Sequence, residues 1–154
     1  MGRIAVFIRP ADHQVYRLPL AVCLIAHLLL PVPAHADKLI RGKIEYVHDG
    51  DTIHIRHRGR IVRIRLWGVD ARELSTPAGR KARDWAVRQW EGRKAVCEPL
   101  GRSYRRVVAR CHVDGVDIGQ RLIVSGYGCE WRRFSKGYYR QPQHMLCEAR
   151  WRKK

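Results

Sequence analysis

Apolar and polar residues alternate along several short stretches of the chain, which is the pattern of half-buried β-strands. In "RIVRIRL", residues 60–66, the side chains of Val62, Ile64 and Leu66 face one way while those of Arg63 and Arg65 face the other. The same alternation predicts five strands. They are expected at residues 38–47, 52–56, 60–66, 94–98 and 107–113.

Helical periodicity and capping residues predict three helices. The first follows a cap at Ser75 or Thr76 and ends near residue 92, because proline at position 77 is favoured in the first helical position. A second, short helix is expected at 117–124, and a last one begins at Pro142.

The order of these elements is three strands, one helix, two strands and two helices. This order is typical of an α+β fold, a five-stranded OB-fold-like β-barrel with three helices, in which one face of the barrel carries the site. A flat, half-open sheet covered by helices is the alternative.

The first 36 residues have the features of a secretory signal peptide. The run "LPLAVCLIAHLLL" follows three arginines and leads to "PVPAHADK", so cleavage is predicted after Ala36. An uncleaved membrane anchor is the alternative, although the run is shorter than the roughly 20 residues that a span needs. Residues 37–154 then form one domain, and the protein is expected to be exported to a periplasm or to the extracellular medium.

The chain is strongly basic, with 31 Lys and Arg against 14 Asp and Glu and a formal net charge of +17. Charge of this size, spread along the chain, favours a polyanionic partner and indicates nucleic acid. A basic adhesion or heparin-binding protein would explain the charge as well, but it would give no role to the acids described below.

Four of the five cysteines follow residue 36, and an even number in an exported chain predicts two disulfides. If the fourth and fifth strands are antiparallel neighbours, Cys97 lies opposite Cys111, which leaves Cys129 to pair with Cys147. A structural zinc site is the alternative, but no two cysteines have the Cys-x-x-Cys spacing usual in such sites.

Two aspartates stand at strand ends among many cations. Asp51 follows the turn at Asp49-Gly50 and begins the second strand, where carboxylates are disfavoured, and Asp70 follows the third strand. If these strands are antiparallel neighbours, the two carboxylates converge at one rim of the barrel and suit a hard cation such as Ca²⁺. Taken singly, each acid also fits a turn or a surface ion pair.

The same rim carries further charged groups. Arg65 lies five positions before Asp70, and Glu73 lies three positions after it. A phosphodiester at a five-coordinate phosphorus needs both a metal and bidentate planar donors, which these residue types supply. Glu73 is a candidate to take a proton from the attacking water, and Arg105 or Arg106 is a candidate second cation.

Three motifs that contain these residues resemble those of the staphylococcal nuclease (thermonuclease) family. The family's "DGDT" stands at residues 49–52, and its "R-L-x-G-[IV]-D-x-x-E" stands at 65–73 as "RLWGVDARE". Its "Y-G-R-x-[VL]-A" stands at 104–109 as "YRRVVA". The likeness covers nearly all of residues 37–154, in order and spacing.

The resemblance implies a calcium-dependent phosphodiesterase. We also expect a monomer with no obligate protein partner. The implied ligands of Ca²⁺ are Asp51, Asp70 and the carbonyl oxygen of Ala71. Glu73 would be the general base, and Arg65 and Arg106 would bind the phosphate. The implied substrates are single-stranded DNA, RNA and open duplex, and the implied products carry 3′-phosphates.

The chain departs from the family pattern at three places. Ala71-Arg72 replaces the usual Thr-Pro before Glu73. The carbonyl ligand is kept, because every residue has one, but the loop that aims Glu73 loses a hydroxyl and a proline, so the change affects the rate more than metal binding. Arg105 replaces a glycine, where it alters the turn or adds a phosphate contact, and Arg102 stands where an aspartate is common.

Exposed aromatic residues would hold the bases of a single strand by stacking. Tyr104, next to the paired arginines, is the main candidate, and with Arg105 it is assigned to substrate binding. Trp131 and Phe134 fit either stacking or packing. A non-catalytic nucleic-acid-binding module of the same fold is the alternative function, although such a module has no need of the acids.

Overall fold

The structure is a computed structural model and describes residues 38–147. The predicted signal peptide and the residues after 147 lie outside the described residues. The strands are β1 (Ile40–Val47), β2 (Thr52–His57), β3 (Arg60–Leu66), β4 (Val69–Ala71), β5 (Lys94–Ser103), β6 (Arg106–Val113), β7 (Val116–Asp117) and β8 (Gly128–Glu130). The helices are α1 (Pro77–Trp90), α2 (Ile118–Val124), α3 (Arg132–Ser135) and a 3₁₀ helix at Gln143–Met145.

Five strands close into a barrel. Their order is β3-β2-β1-β5-β6, each pair antiparallel, and a parallel pairing of β3 with β6 joins the two ends. The predicted α+β fold, an OB-fold-like five-stranded barrel with three helices, is therefore confirmed. Strands β4 and β8 form a separate two-stranded sheet beside the barrel.

The barrel interior is filled by the apolar residues that the alternation predicts. Ile44, Ile53, Ile55 and Ile64 are fully buried, and Leu122 of α2 covers the same core. Burying each of these side chains contributes about 1.5 to 3 kcal/mol relative to leaving it exposed. This closed core fixes the strand ends that carry the polar residues of the rim.

Helix α1 begins as the sequence predicts. Thr76 is the N-cap residue, its hydroxyl accepts a hydrogen bond from Gly79 N at 3.0 Å, and Pro77 is the first helical residue. No helix among the described residues is long and apolar enough to span a membrane.

Most predicted boundaries lie within two residues of the structure, but two segments differ by more. Strand β5 continues to Ser103 and does not end at 98. A shift in the pairing register between Pro99 and Gly101 accommodates the proline, so the strand continues past it. The segment after Pro142 forms one 3₁₀ turn, and Leu146 is extended, where it bridges to Glu130. The third helix is α3, which the sequence pattern did not predict.

Both predicted disulfides are present. Cys97 and Cys111 face each other across β5 and β6, as register partners 4.0 Å apart at Cα. Cys129 of β8 is bonded to Cys147, which ties the end of the described chain to the small β4–β8 sheet.

Candidate active site

Asp51 joins the barrel rim to the segment that follows β3. Its backbone oxygen accepts a hydrogen bond from Leu66 N at 2.8 Å, and its Oδ2 accepts one from Ala71 N at 2.8 Å. The side chain of Asp49 accepts a hydrogen bond from Asp51 N at 3.0 Å, which holds the turn. The start of β2 therefore lies beside the end of β3.

Gly50 allows this turn to pack closely. A Cβ at this position would lie 2.7 Å from the Cβ of Ala71 and 3.2 Å from that of Ala82 in α1. The turn therefore packs tightly between Ala71, in the candidate metal-binding segment, and helix α1. A side chain here would force the turn, Ala71 or α1 to shift.

Arg65 connects the two predicted carboxylate ligands. Its Nη1 forms an ion pair with Oδ1 of Asp51, and its Nη2 donates a hydrogen bond to Oδ1 of Asp70 at 2.8 Å. The Arg65 side chain is 14% exposed and that of Asp51 is 9% exposed, so this contact is shielded from solvent. The guanidinium and both carboxylates therefore share one pocket.

The environment of Asp51 favours its neutral form in the absence of a metal. Burial raises the pKa of Asp51 to about 7, against the lowering effect of Arg65, and the carboxylates of Asp49 and Asp70 act in the same direction as burial. A divalent cation next to this group would favour the charged form. The site is thus electrostatically suited to a cation.

The residues at this rim enclose one polar cavity of about 380 Å³. It is lined by His48, Asp49, Asp51, Thr52, Arg63, Arg65, Asp70, Ala71, Arg72, Glu73 and Arg106. The anionic groups of the cavity are carboxylates, whose oxygens are the ligands that Ca²⁺ prefers. Each carboxylate oxygen has two lone pairs, so it can bind an ion and accept a hydrogen bond at the same time. The donor set fits calcium.

Glu73 is held at the N-terminus of α1. Its backbone oxygen accepts hydrogen bonds from Thr76 N at 2.9 Å and from Thr76 Oγ1 at 2.8 Å. A Cβ at Gly79 would lie 1.9 Å from the same oxygen, so the helix approaches this loop as closely as glycine permits. These contacts fix the backbone of the loop that carries Glu73.

Arg106 is the second cation of the cavity. It is the first residue of β6, and its Nη1 donates a hydrogen bond to Thr52 Oγ1 at 3.1 Å. The hydroxyl of Thr52 in turn donates to Oδ1 of Asp51 at 3.2 Å. Of the two arginines that the sequence offered, only Arg106 lines this cavity.

Tyr104 and Arg105 form the two-residue turn between β5 and β6. Tyr104 is 96% exposed, with φ at 54°, so it carries the left-handed conformation of the turn. Arg105 is not in that conformation, so it needs no glycine. Both residues lie outside the cavity lining, Tyr104 exposed to solvent and Arg105 in a neighbouring groove.

Trp131 and Phe134 form an edge-to-face pair with ring centroids 4.6 Å apart, and both are partly exposed. Together with Arg65 and Trp67 they line an apolar cleft of about 110 Å³. Because Arg65 borders both the cleft and the cavity, the aromatic pair lies next to the charged rim.

Five residues that line the cavity were not predicted as site residues from the sequence: His48, Asp49, Thr52, Arg63 and Arg72. His48 is exposed and lines the cavity, and its ring lies parallel to that of His54, with centroids 6.2 Å apart. Burial, followed by Arg63 and His48, lowers the pKa of His54. The position of His48 directly before "DGDT" was the available signal.

The fold and the cavity define an OB-like barrel whose rim combines four carboxylates with arginines. No protein-family profile matches the chain. Two curated relatives, each named "Uncharacterized endonuclease", come from Escherichia coli and Escherichia coli O157:H7. Each is 28% identical over 98 residues, which is 62% of this chain and 64% of the relative. The chain thus matches less than two thirds of the length of these relatives.

Proposed function

We propose that this protein is a calcium-dependent nuclease of the staphylococcal nuclease type, which hydrolyses phosphodiester bonds of DNA and RNA and leaves 3′-phosphates. The observation that carries the proposal is the single cavity that Asp51, Asp70, Glu73, Arg65 and Arg106 line together. The similarity to proteins named as endonucleases supports the same reaction class.

The five residues named above, together with the carbonyl of Ala71, have distinct roles in this reaction. Asp51, Asp70 and the Ala71 carbonyl would hold Ca²⁺, and the bound ion would stabilise negative charge on the phosphate as a Lewis acid. Arg65 and Arg106 would bind non-bridging phosphate oxygens through guanidinium donors.

Glu73 would act on the attacking water. Its carboxylate takes a proton as the water oxygen bonds to phosphorus, and the bond from phosphorus to the 5′-oxygen breaks. The leaving oxygen receives a proton from solvent and becomes a 5′-hydroxyl, while the phosphate stays on the 3′-oxygen. The exposure of Glu73 keeps its side chain in contact with water.

Cleavage of a labelled single-stranded oligonucleotide tests the proposal. We expect activity with calcium, none with chelator, and a loss of about 10²- to 10⁴-fold in Glu73→Gln, the usual contribution of a general base. Binding should survive Glu73→Gln, because the lost carboxylate offers no attraction to a polyanion. Glu98→Gln, which removes an exposed acid outside the cavity, is the matched control.

Two outcomes would contradict the proposal. Cleavage that ignores both chelator and Glu73→Gln would indicate another mechanism or a contaminating enzyme. Tight binding without cleavage under any divalent metal would favour the alternative, a non-catalytic nucleic-acid-binding module.

We also propose that the protein is exported after loss of residues 1–36. The two disulfides are compatible with an oxidising compartment. Intact-mass measurement of the exported protein should give a chain that begins at Asp37. A full-length chain that is extracted only with detergent would support the membrane anchor instead.

A further inference from the structure

A second groove of about 390 Å³ lies beside the candidate active site. We call it the arginine shelf, and it is lined by Ile61, Val62, Arg63, Arg102, Arg105 and Val107. The shelf lies at the seam where the barrel closes, because Val107 is the register partner both of Ile64 on β3 and of Arg102 on β5.

The shelf is continuous with the site cavity. Arg63 lines both, and it lies two positions before Arg65 on β3. Residues at this spacing face the same side of a strand, roughly 6.6 Å apart along it. A strand whose cleaved phosphate contacts Arg65 would therefore bring a neighbouring phosphate to Arg63 and the shelf.

The three arginines of the shelf are all exposed, and none forms an ion pair with another described residue. Other arginines do form ion pairs: Arg93 pairs with Asp114, and Arg110 pairs with Glu98. Like charges on neighbouring strands repel and lower stability. A cluster without acids in its lining is suited to an anionic ligand.

The floor of the shelf is apolar. Ile61 is 46% exposed, and Val62 and Val107 are partly exposed beside it. A nucleotide has phosphate oxygens, which the guanidinium groups at the edge of the shelf can bind. It also has the apolar faces of its sugar and base, which can pack against the apolar floor. A simple inorganic anion would use the arginines alone.

We infer that the arginine shelf binds the sugar–phosphate backbone of the substrate strand beyond the cleaved bond. The inference rests on the proposed nuclease function and deepens it, because it makes an extended single strand the substrate class, in preference to a dinucleotide. Arg105 then contacts substrate from the shelf and not from the catalytic cavity.

The test is a fluorescence-anisotropy titration of labelled three-nucleotide and twelve-nucleotide oligothymidylates, in chelator, over a range of salt concentrations. The triple variant Arg63→Gln/Arg102→Gln/Arg105→Gln should bind the longer strand about 10- to 100-fold more weakly than the wild type. The slope of log K against log salt should become shallower by about 2, since each phosphate contact on a single strand contributes about 0.7.

A matched triple variant, Arg88→Gln/Lys94→Gln/Arg121→Gln, removes the same charge from exposed positions outside both grooves. It should retain the wild-type slope and the wild-type gain in affinity between the short and the long strand. If the triple variant does not fold, the single variants Arg102→Gln and Arg105→Gln replace it in the test. Each should make the salt slope shallower by a smaller amount.

The shelf and the proposed nuclease function can fail separately. Because calcium-dependent cleavage does not run in chelator, the titration is informative whether or not the protein cuts. A shelf variant with an unchanged salt slope and an unchanged length dependence would overturn the inference. Absence of cleavage with calcium, together with the expected change in slope, would overturn only the nuclease proposal.

Discussion

The backbone carbonyl of Glu73 accepts two hydrogen bonds from Thr76, one from its amide and one from its hydroxyl. The same hydroxyl accepts a hydrogen bond from Gly79 N and so caps helix α1. One side chain thus links the start of the helix to the candidate general base.

Thr76→Val should therefore lower both stability and cleavage. Loss of the cap costs about 1 kcal/mol of unfolding free energy, and the freed loop no longer aims Glu73, so kcat should fall more than KM rises. Thr76→Ser should restore most of both. The measurements are denaturant unfolding and oligonucleotide cleavage.

Ser75→Ala is the control for this prediction, because Ser75 is exposed and its hydroxyl forms no hydrogen bond within the described residues. It should leave stability and kcat near the wild-type values. A Thr76→Val variant with lower stability but a normal kcat would show that the contact is only structural.

Asp51 should make metal-free stability depend on pH. Its pKa in the folded protein is about 7, above the ordinary value of 3.8, so the folded state holds the proton more tightly than the unfolded state. The stabilising contribution is therefore complete below about pH 4 and is lost as the pH rises through about 7. In chelator, the unfolding free energy of the wild type should fall over this range relative to Asp51→Asn.

Calcium should reverse this loss at high pH. Binding requires the charged carboxylate, so the affinity for calcium should weaken by about tenfold per pH unit below pH 7 as the ion competes with one proton. Calorimetric titration at several pH values measures both effects. Parallel stability curves for the wild type and Asp51→Asn would contradict the assigned pKa.

Tyr104 should act through its exposed ring. If the ring stacks on a base, Tyr104→Ala should cost roughly 1 to 3 kcal/mol of single-strand binding free energy, and Tyr104→Phe should retain the affinity. The unfolding free energy should change by less than about 0.5 kcal/mol in either variant, because the Tyr104 side chain is almost fully exposed. An unchanged affinity in Tyr104→Ala would exclude stacking.

The Cys129–Cys147 disulfide should matter to the proposed metal site as well as to stability. Cys129 is the register partner of Asp70, and its Sγ lies 3.5 Å from the backbone oxygen of Asp70. The double variant Cys129→Ala/Cys147→Ala should lose about 3 kcal/mol of unfolding free energy and should also bind calcium more weakly.

Cys97→Ala/Cys111→Ala is the matched comparison, because that disulfide joins β5 to β6 away from the cavity lining. It should cost a similar unfolding free energy and leave calcium affinity unchanged in the folded protein. Equal calcium affinities in the two double variants would contradict a link between β8 and the proposed metal site.

The sequence by itself determined the local elements and the members of the charged rim. Alternation of period two identified the barrel strands, Pro77 and Thr76 identified the start of α1, and the register of β2 with β3 brought Asp51 to Asp70 as expected. These features depend on side-chain direction and turn chemistry between residues close in sequence, so they can be derived without coordinates.

The tertiary structure decided what depends on residues far apart in sequence. The parallel closure of β3 on β6 brings Arg63 to Arg102 and Arg105, and it brings Arg106 to Thr52. Periodicity gives the face on which a side chain lies but not the strand that becomes its neighbour, because that choice depends on how the whole core closes. The short strands β4 and β8 were missed for the same reason, since a pairing of three residues is stabilised by its tertiary partners and not by its own sequence.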